Sequence, residues 1–368
     1  MSRERSFLVM TPRLDGRDGI SEVSRQAVRA LVPDASLVET WALDGHEPTE
    51  RTVSERYAFR SAGSSRRRMV GWTIARASRP GEARHVIVMH VHLAPLGATL
   101  AARGASLSVF LHGVEVWRRL RPRERFALRA AQHVVANSNC TVERFRAANP
   151  DLRDVDVKVC LLGVADAPPE VTPAPSRDYA LIVGRLAAGE RYKGHDALID
   201  AWPLVQSLVP GAGLIVVGDG DDRARLEARV ASAGLGGAIQ FLGHVPDAQL
   251  RGLYRACALF VMPSAGEGFG LAYLEAMREG KPCLALRSAA EIIDDGVTGR
   301  LLDDARPELL GPAIGALLAD ESLRGRMGRA AAERVAADFT EARFARRFRA
   351  ALGLDPGHGR RVPLGVPA

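Results

Sequence analysis

Residues 258–282 read ALFVMPSAGEGFGLAYLEAMREGKP, and they predict a buried strand, a glycine-rich loop and a helix, in that order. The apolar run Ala258–Met262 has the length of a buried strand and ends at a proline. A helical pattern begins at about Leu271 and is closed by Gly280 and a following proline. A helix that starts directly after such a loop presents free backbone N–H groups and a positive dipole end, which together favour a bound anion.

Two carboxylates accompany this loop, Glu267 within it and Glu275 about two turns later. A carboxylate beside an anion site repels the anion, so hydrogen bonding to sugar hydroxyls is a role that would account for both residues. A simple strand–loop–helix turn with surface glutamates accounts for them equally well. The choice between the two interpretations depends on what the rest of the chain places beside the loop.

Strand-like and helix-like patterns alternate along the whole chain, which is typical of parallel sheets with helical crossovers. The predicted strands lie at residues 7–10, 36–41, 85–91, 107–111, 134–137, 157–161, 179–183, 213–217, 239–242, 258–262, 283–286 and 299–302. Four prolines between residues 165 and 177 predict a linker at 169–176. We therefore expect two doubly wound, Rossmann-like α/β domains, residues 1–168 and 177–338, which face each other across a cleft.

Two of the helices predicted in the first half lie on either side of the strand predicted at 36–41. The first spans about Ile20–Leu31, with Ser21 as a plausible N-cap. The second is a basic helix over residues 58–78.

The formal net charge of +7 is concentrated in two basic runs, residues 65–68 and 117–123. Such runs favour phosphate-bearing partners. Aromatic residues make up 5% of the chain and do not interleave with the basic runs, which argues against a single-stranded nucleic-acid partner. A solvated basic face explains the runs more simply than an anionic membrane surface, which stays as the alternative.

The four cysteines, at 140, 160, 257 and 283, have no close paired spacing. This pattern excludes a disulfide framework and a zinc site and favours a cytoplasmic protein. The first residues lack a signal-peptide pattern. No apolar run approaches the roughly 20 residues that a membrane span needs, because His90 and His92 interrupt the nearest candidate, residues 86–102.

Two cations follow the predicted strand at 179–183. Arg185 comes directly after it, and Lys193 precedes the next predicted helix. Arginine can bind two phosphate oxygens at once and lysine supplies a point charge, so the pair would suit a diphosphate. Taken alone, the two are better explained as surface cations. The loop with Glu267 and Glu275 lies at another strand end of the same predicted sheet, and this favours a nucleotide-sugar site.

The second half carries a set of short motifs that resembles one family. They are Gly184-Arg185-Leu186, Lys193-Gly194, Val217-Gly218-Asp219-Gly220, Phe241-Leu242-Gly243, Glu267-Gly268-Phe269-Gly270-Leu271 with Glu275-Ala276, and Gly280-Lys281-Pro282. With them the chain resembles the retaining glycosyltransferases of family 4, which have the GT-B fold. The resemblance is close over about residues 179–303. It is loose in the first half, where it rests on Gly19, on His112-Gly113 and on Asn137-Ser138 with Thr141.

The resemblance implies roles for the residues of the second half. Arg185 and Lys193 would neutralise the leaving diphosphate, and Glu275 would bind the ribose hydroxyls. Glu267 would hold the transferred sugar. The remaining donor-binding positions that it implies are Gly184, Val245 (which would meet the base through its backbone), Gly268, and the backbone N–H groups of Phe269, Gly270 and Leu271.

In the first half, the resemblance implies that His112 approaches the sugar or the reacting hydroxyl and that Gly19 lets its loop approach the diphosphate. It also implies attack on the same face that the leaving group occupies, with the leaving phosphate as base. No protein nucleophile, metal or cofactor is then needed, since the cations replace the metal. One departure concerns residues 287–291, Arg-Ser-Ala-Ala-Glu, where the family commonly has a Gly-Gly loop.

We thus expect a metal-independent, retaining hexosyltransferase of polysaccharide, lipid-linked glycan or glycolipid synthesis that uses a UDP- or GDP-sugar. The first domain would bind the acceptor, with helix 339–352 packing back on it, and the second would bind the donor. The expected partners are the nucleotide-sugar and a hydroxyl acceptor, lipid-linked in one version, at the inner face of the plasma membrane. The alternatives are a nucleotide-sugar epimerase of the same fold and a non-catalytic nucleotide-sugar binder; a glycan phosphorylase would be longer and carry a pyridoxal lysine.

Overall fold

The computed structural model describes residues 5–47, 56–79, 85–165, 172 and 178–354. The chain divides into two compact units, one of residues 1–162 with 342–368 and the other of residues 163–341. Apart from Thr172, the predicted linker at 169–176 lies outside the described residues, and so does the tail after residue 354. No helix within the described ranges combines the length and the apolar composition that crossing a bilayer requires.

The first unit is built on a sheet of seven described strands, all parallel, in the order β3-β2-β1-β4-β5-β6-β7. They are β1 (Arg5–Arg13), β2 (Ala35–Asp44), β3 (Tyr57–Ser61), β4 (His85–Val88), β5 (Ser106–Leu111), β6 (His133–Ala136) and β7 (Val157–Val159). The order reverses between β1 and β4, so the loops after these two strands flank the point where parallel sheets usually bind ligands.

Of the helices described in this unit, five come from the first part of the chain and one from its end. They are α1 (Gly19–Leu31), α2 (Arg66–Ala77), α3 (Ala94–Ala101), α4 (Pro122–Ala130), α5 (Asn139–Ala148) and α12 (Glu341–Ala351), with 3-10 turns at Val32–Asp34, Val91–Leu93 and Pro150–Leu152.

The last helix packs within the first unit. Phe344 and Phe348 on α12 are fully buried, and the Phe348 ring lies 6.1 Å from that of Phe110 on β5. Lys158 Nζ on β7 donates to the Ala351 carbonyl at 3.0 Å. The burial of both rings follows from the spacing of the two phenylalanines, which places them on one side of the helix.

Two local predictions in the first unit are wrong. Residues 58–78 do not form one helix, because Gly63 and Ser64 both adopt positive φ and separate β3 from α2. Ser21 is not the N-cap of α1 either. Asp18 takes that position, and its Oδ1 accepts from the N–H groups of Ile20 at 2.9 Å and Ser21 at 3.1 Å.

The second unit has six described strands, again all parallel, in the order β10-β9-β8-β11-β12-β13. They are β8 (Tyr179–Val183), β9 (Gly213–Val217), β10 (Ile239–Gly243), β11 (Leu259–Met262), β12 (Cys283–Leu286) and β13 (Gly299–Leu302). The helices are α6 (His195–Leu208), α7 (Arg223–Ser232), α8 (Asp247–Ala256), α9 (Leu271–Arg278), α10 (Pro307–Ala319) and α11 (Glu321–Asp338), with 3-10 segments at Ala188–Lys193 and Arg287–Ala289. The reversal lies between β8 and β11, so the two loops that carry the predicted charges are neighbours.

Glycines allow the loops at this edge to touch. Gly218 has φ +135°, and a Cβ there would lie 1.9 Å from the Gly184 carbonyl oxygen. Gly194 has φ +90°, and a Cβ there would lie 2.7 Å from Pro263. Only glycine accepts these conformations without strain. The turn that follows Lys193 therefore packs directly on the end of β11.

Candidate active site

The site of the second unit begins with an ion pair at the point where the strand order reverses. Lys193 Nζ lies 3.4 Å from Glu267 Oε2, and both side chains are largely buried. The stem of Lys193 runs along Gly184, where an added Cβ would be 3.3 Å from Lys193 Cδ. The loops after β8 and β11 thus bring three of the sequence-predicted residues together.

The 3-10 segment Ala188–Lys193 holds the loops after β8 and β11 together. The Tyr192 carbonyl accepts from the Ala265 N–H at 2.9 Å. The Tyr192 ring fills the space beside Gly266, where a Cβ would meet the ring at 2.7 Å. The loop that carries Glu267 therefore has a fixed position relative to the lysine.

The start of α9 is open. Gly270 adopts φ +105°, no side chain caps the helix, and a Cβ at Gly270 would meet the Tyr273 ring at 2.4 Å. Tyr273 donates its hydroxyl to the Met262 carbonyl at 2.5 Å, which ties the helix to the end of β11. Phe269 is buried and its ring lies 6.2 Å from that of Phe339. The Phe269 side chain thus anchors a loop whose backbone N–H groups begin a helix.

Glu275 lies on α9, where its Oε2 accepts the hydroxyl of Tyr254 at 2.8 Å. Burial, and then the neighbouring Glu275, raises the pKa of Tyr254 well above its usual value, so the phenol keeps its proton and stays a donor. The hydrogen bond holds one carboxylate oxygen in place.

Arg185 is much more exposed than Lys193 and Glu267. Its side chain is 68% exposed, and its guanidinium is paired with Glu190 on the 3-10 segment that ends at Lys193. Val245 follows β10, and its side chain is buried, so any ligand would meet its backbone.

His112 directly follows β5 in the first unit, and three hydrogen bonds hold it in place. Its Nε2 donates to the Met89 carbonyl at 2.7 Å, its backbone N–H donates to Glu115 Oε1 at 2.6 Å, and its carbonyl accepts from Asn137 Nδ2 at 2.6 Å. Burial lowers the pKa of His112, although Glu115 opposes this. The imidazole is therefore neutral at pH 7, with its proton on Nε2 and a lone pair on Nδ1.

Gly19 is the first residue of α1 and is exposed. The Asp18 carboxylate occupies the N-terminus of this helix and accepts from the backbone N–H groups of Ile20 and Ser21. Next to it, at the end of β4, His90 Nδ1 accepts from the His92 N–H at 3.2 Å. Burial lowers the pKa of His90 to about 4. His90 is thus a neutral capping residue.

Residues 287–291, which depart from the family pattern, include two side chains that form an ion pair and a hydrogen bond. Arg287 pairs with Asp303 at 2.5 Å, and the Ser288 hydroxyl donates to the Ser264 carbonyl at 3.1 Å. The second contact links the loop after β12 to the loop that carries Glu267.

Sequence reasoning missed Glu190, Tyr192 and Tyr254, which contact or support the predicted residues. Nothing in their spacing marks them, because each acts through a tertiary contact across a loop or between helices. Within the described ranges there is no group of three or more His, Cys, Asp or Glu side chains arranged to hold a metal ion.

Residues 167–334 match the glycosyl transferases group 1 family. The chain is 35% identical over 158 residues to a phosphatidyl-myo-inositol mannosyltransferase of Mycobacterium leprae, which covers 42% of this chain and 41% of that protein. It is 32% identical over 240 residues to a D-inositol 3-phosphate glycosyltransferase of Segniliparus rotundus, which covers 60% of this chain and 53% of that protein. It is 34% identical over 145 residues to a GDP-mannose-dependent alpha-(1-6)-phosphatidylinositol monomannoside mannosyltransferase of Mycolicibacterium smegmatis, which covers 37% of this chain and 38% of that protein. The chain thus spans about two-fifths to one-half of the length of these relatives.

Solved structures share the fold over nearly the whole chain. HepE of Anabaena, in complex with UDP and glucose, superposes with a TM-score of 0.74 at 19% identity and covers 94% of this chain and 99% of its own. The sucrose-phosphate synthase of Thermosynechococcus elongatus superposes with a TM-score of 0.75 at 19% identity. The superposition covers 95% of this chain and 98% of the synthase chain. These likenesses confirm the predicted pair of Rossmann-like domains of the GT-B type.

Proposed function

We propose that this chain transfers a hexose from a UDP- or GDP-sugar to a hydroxyl acceptor, in line with the match of residues 167–334 to the glycosyl transferases group 1 family. The observation that carries the proposal is the pair of Lys193 and Glu267, 3.4 Å apart beside the uncapped start of α9. A cation, a carboxylate and a free helix N-terminus together can hold the phosphate and the hydroxyls of a sugar diphosphate.

The proposed roles follow the charges. Lys193 and Arg185 stabilise the negative charge that develops on the leaving diphosphate. Glu267 and Glu275 accept hydrogen bonds from sugar and ribose hydroxyls, and His112 contacts the sugar or the reacting hydroxyl. The bond from the anomeric carbon to the acceptor oxygen forms on the face from which the phosphate oxygen departs, and that oxygen takes the acceptor proton. The configuration is then retained, and no metal is required.

The names of the relatives support a lipid acceptor and a GDP-mannose donor as the first substrates to test. A surface feature of the first unit, on α2, also favours a lipid acceptor. The first turn of α2 carries Arg66, Arg67 and Arg68, although the helix dipole disfavours cations there. In the described part of the chain none of the three has an ion-pair partner. On the same helix Val70 is 41% and Ile74 58% exposed. Cations beside exposed aliphatic side chains fit an anionic membrane surface.

The test has two stages. A panel of UDP- and GDP-hexoses is screened for thermal stabilisation of the full chain, and labelled sugar is then followed from the stabilising donor to lipid and soluble acceptors. Lys193→Ala and Glu267→Ala should each abolish transfer, whereas Arg326→Ala, on an exposed face of α11, should not. Transfer that survives both site substitutions would refute the proposal. Turnover of the nucleotide-sugar without any acceptor would instead identify an epimerase.

A further inference from the structure

Both cations assigned to the diphosphate already have carboxylate partners in this structure. Lys193 is paired with Glu267, a residue that itself has a proposed ligand. Arg185 is paired with Glu190, to which no other role has been assigned.

Glu190 is held in an unfavourable place for a carboxylate. Its side chain is only 15% exposed, and its Oε2 is buried without a hydrogen-bond partner among the described residues. The backbone of Glu190 also leaves the helical region within the 3-10 segment Ala188–Lys193. A half-satisfied, buried carboxylate is unfavourable, and here the guanidinium of Arg185 is its compensating charge.

Glu190 lies close to the rest of the site. Burial, and then the negative charges of Glu190 and Glu267, raises the pKa of Tyr192 to about 12. Both carboxylates therefore act on one phenol, whose ring packs beside Gly266 in the loop that carries Glu267. The negative charge of Glu190 would therefore also repel a diphosphate bound by Lys193 and Arg185.

We propose that Glu190 is an exchangeable counter-ion, which Arg185 leaves for the diphosphate when the donor binds and rejoins when the nucleoside diphosphate departs. This inference rests on the proposed function. Glu190 competes with the phosphate for the same guanidinium, so it weakens nucleoside diphosphate binding and hastens product release. The opposite arrangement, in which Glu190 aims Arg185 at the phosphate, predicts an effect of opposite sign.

The experiment measures the affinity of the full chain for UDP and GDP by calorimetry. Glu190→Gln, which keeps the shape and removes the charge, should bind the preferred nucleotide about 3- to 10-fold more tightly. Glu190→Ala should act in the same direction. In the Arg185→Ala background, Glu190→Gln should have a much smaller effect, because the competition is gone. Asp200→Asn, which removes the partner of Arg229 elsewhere in the unit, is the matched control and should change nothing.

Steady-state kinetics give a second readout, since Glu190→Gln should lower the KM for the donor without raising kcat. Unchanged or weaker binding by both Glu190 variants would overturn the inference while leaving the proposed function intact. If the wild-type chain bound neither UDP nor GDP, the proposed function would fail first, and the inference with it.

Discussion

Tyr254 on α8 donates its hydroxyl to Glu275 on α9 across 2.8 Å, so one helix of the second unit orients the carboxylate of the next. Tyr254 is buried, and therefore it cannot itself reach a ligand from its present position. Its effect on the donor must pass through Glu275.

We predict that Tyr254→Phe raises the KM for the donor about 3- to 10-fold with little change in kcat, because a single hydrogen bond to a charged group is lost. Initial rates at varied donor concentration measure this. Tyr179→Phe is the matched control: Tyr179 is equally buried, but its hydroxyl donates to the Leu253 carbonyl at 2.8 Å. It should lower the melting temperature and leave the KM unchanged. If both variants changed the KM equally, the change would reflect a general loss of stability in the second unit and not the hydrogen bond to Glu275.

Gly218→Ala should lower the stability of the second unit by about 1–3 kcal/mol and abolish donor binding. The new methyl group would collide with the Gly184 carbonyl oxygen, and alanine resists the positive φ at this position. Thermal unfolding with and without nucleotide tests both parts. Gly236→Ala is the control, since a Cβ there meets nothing within 4 Å. If Gly218→Ala bound nucleotide as tightly as the wild type does, the close approach of position 218 to the Gly184 carbonyl would not be needed for donor binding.

Binding to vesicles should depend on both features of α2. We expect the full chain to bind vesicles rich in phosphatidylglycerol, and to release them as salt rises. Replacing Arg66, Arg67 and Arg68 by Gln should weaken binding by about 1 kcal/mol per residue. Val70→Asp with Ile74→Asp should weaken it at any salt concentration. Val297→Asp, at a 56% exposed valine of the second unit, should have no effect. Salt-independent binding to neutral vesicles would contradict the electrostatic part.

Acid should destabilise the second unit through His195. Burial lowers the pKa of this histidine from 6.5 to about 4. The unfolded chain then binds the proton more readily, so the stabilising contribution is complete above about pH 6.5 and is lost as the pH falls towards 4. Between pH 7 and pH 5 the loss amounts to about 2 kcal/mol. His195→Gln should therefore show a shallower fall of melting temperature over this range, whereas His46→Gln, at an exposed histidine, should follow the wild type. If the melting temperatures of all three proteins fell equally with pH, the assignment of acid sensitivity to His195 would be wrong.

Chelation should leave transfer unchanged. In the proposed mechanism Lys193 and Arg185 supply the positive charge that a divalent ion would otherwise provide. The test is the transfer rate in EDTA compared with the rate in added Mg²⁺. Activity that is lost in EDTA and restored by the metal would overturn this part of the proposal.

Twelve of the thirteen described strands were predictable because each is an apolar run bounded by glycine, proline or polar residues, whereas β3 fell within the helix predicted at 58–78. Their order was not, since pairing is decided by tertiary contacts. The sequence also placed Lys193 and Glu267 at two strand ends, and parallel sheets bring such ends to one edge. It did not indicate that the two would pair with each other at 3.4 Å.

The errors have local causes. The helix at 58–78 was predicted from composition, and the positive φ of Ser64 that helps to end β3 is unusual for a residue other than glycine. Ser21 and Asp18 are both good N-cap residues three positions apart, and only the backbone decides between them. Glu190 could not be singled out, because its importance comes from a buried oxygen and from one arginine across the loop.

The packing of α12 has a consequence for the order in which the protein is made. The rings of Phe344 and Phe348 complete the core of the first unit, yet they are translated after all of residues 163–341. A ribosome that has released the first 162 residues has therefore released a unit that lacks one of its helices. During synthesis, the unit encoded first should reach its final stability last.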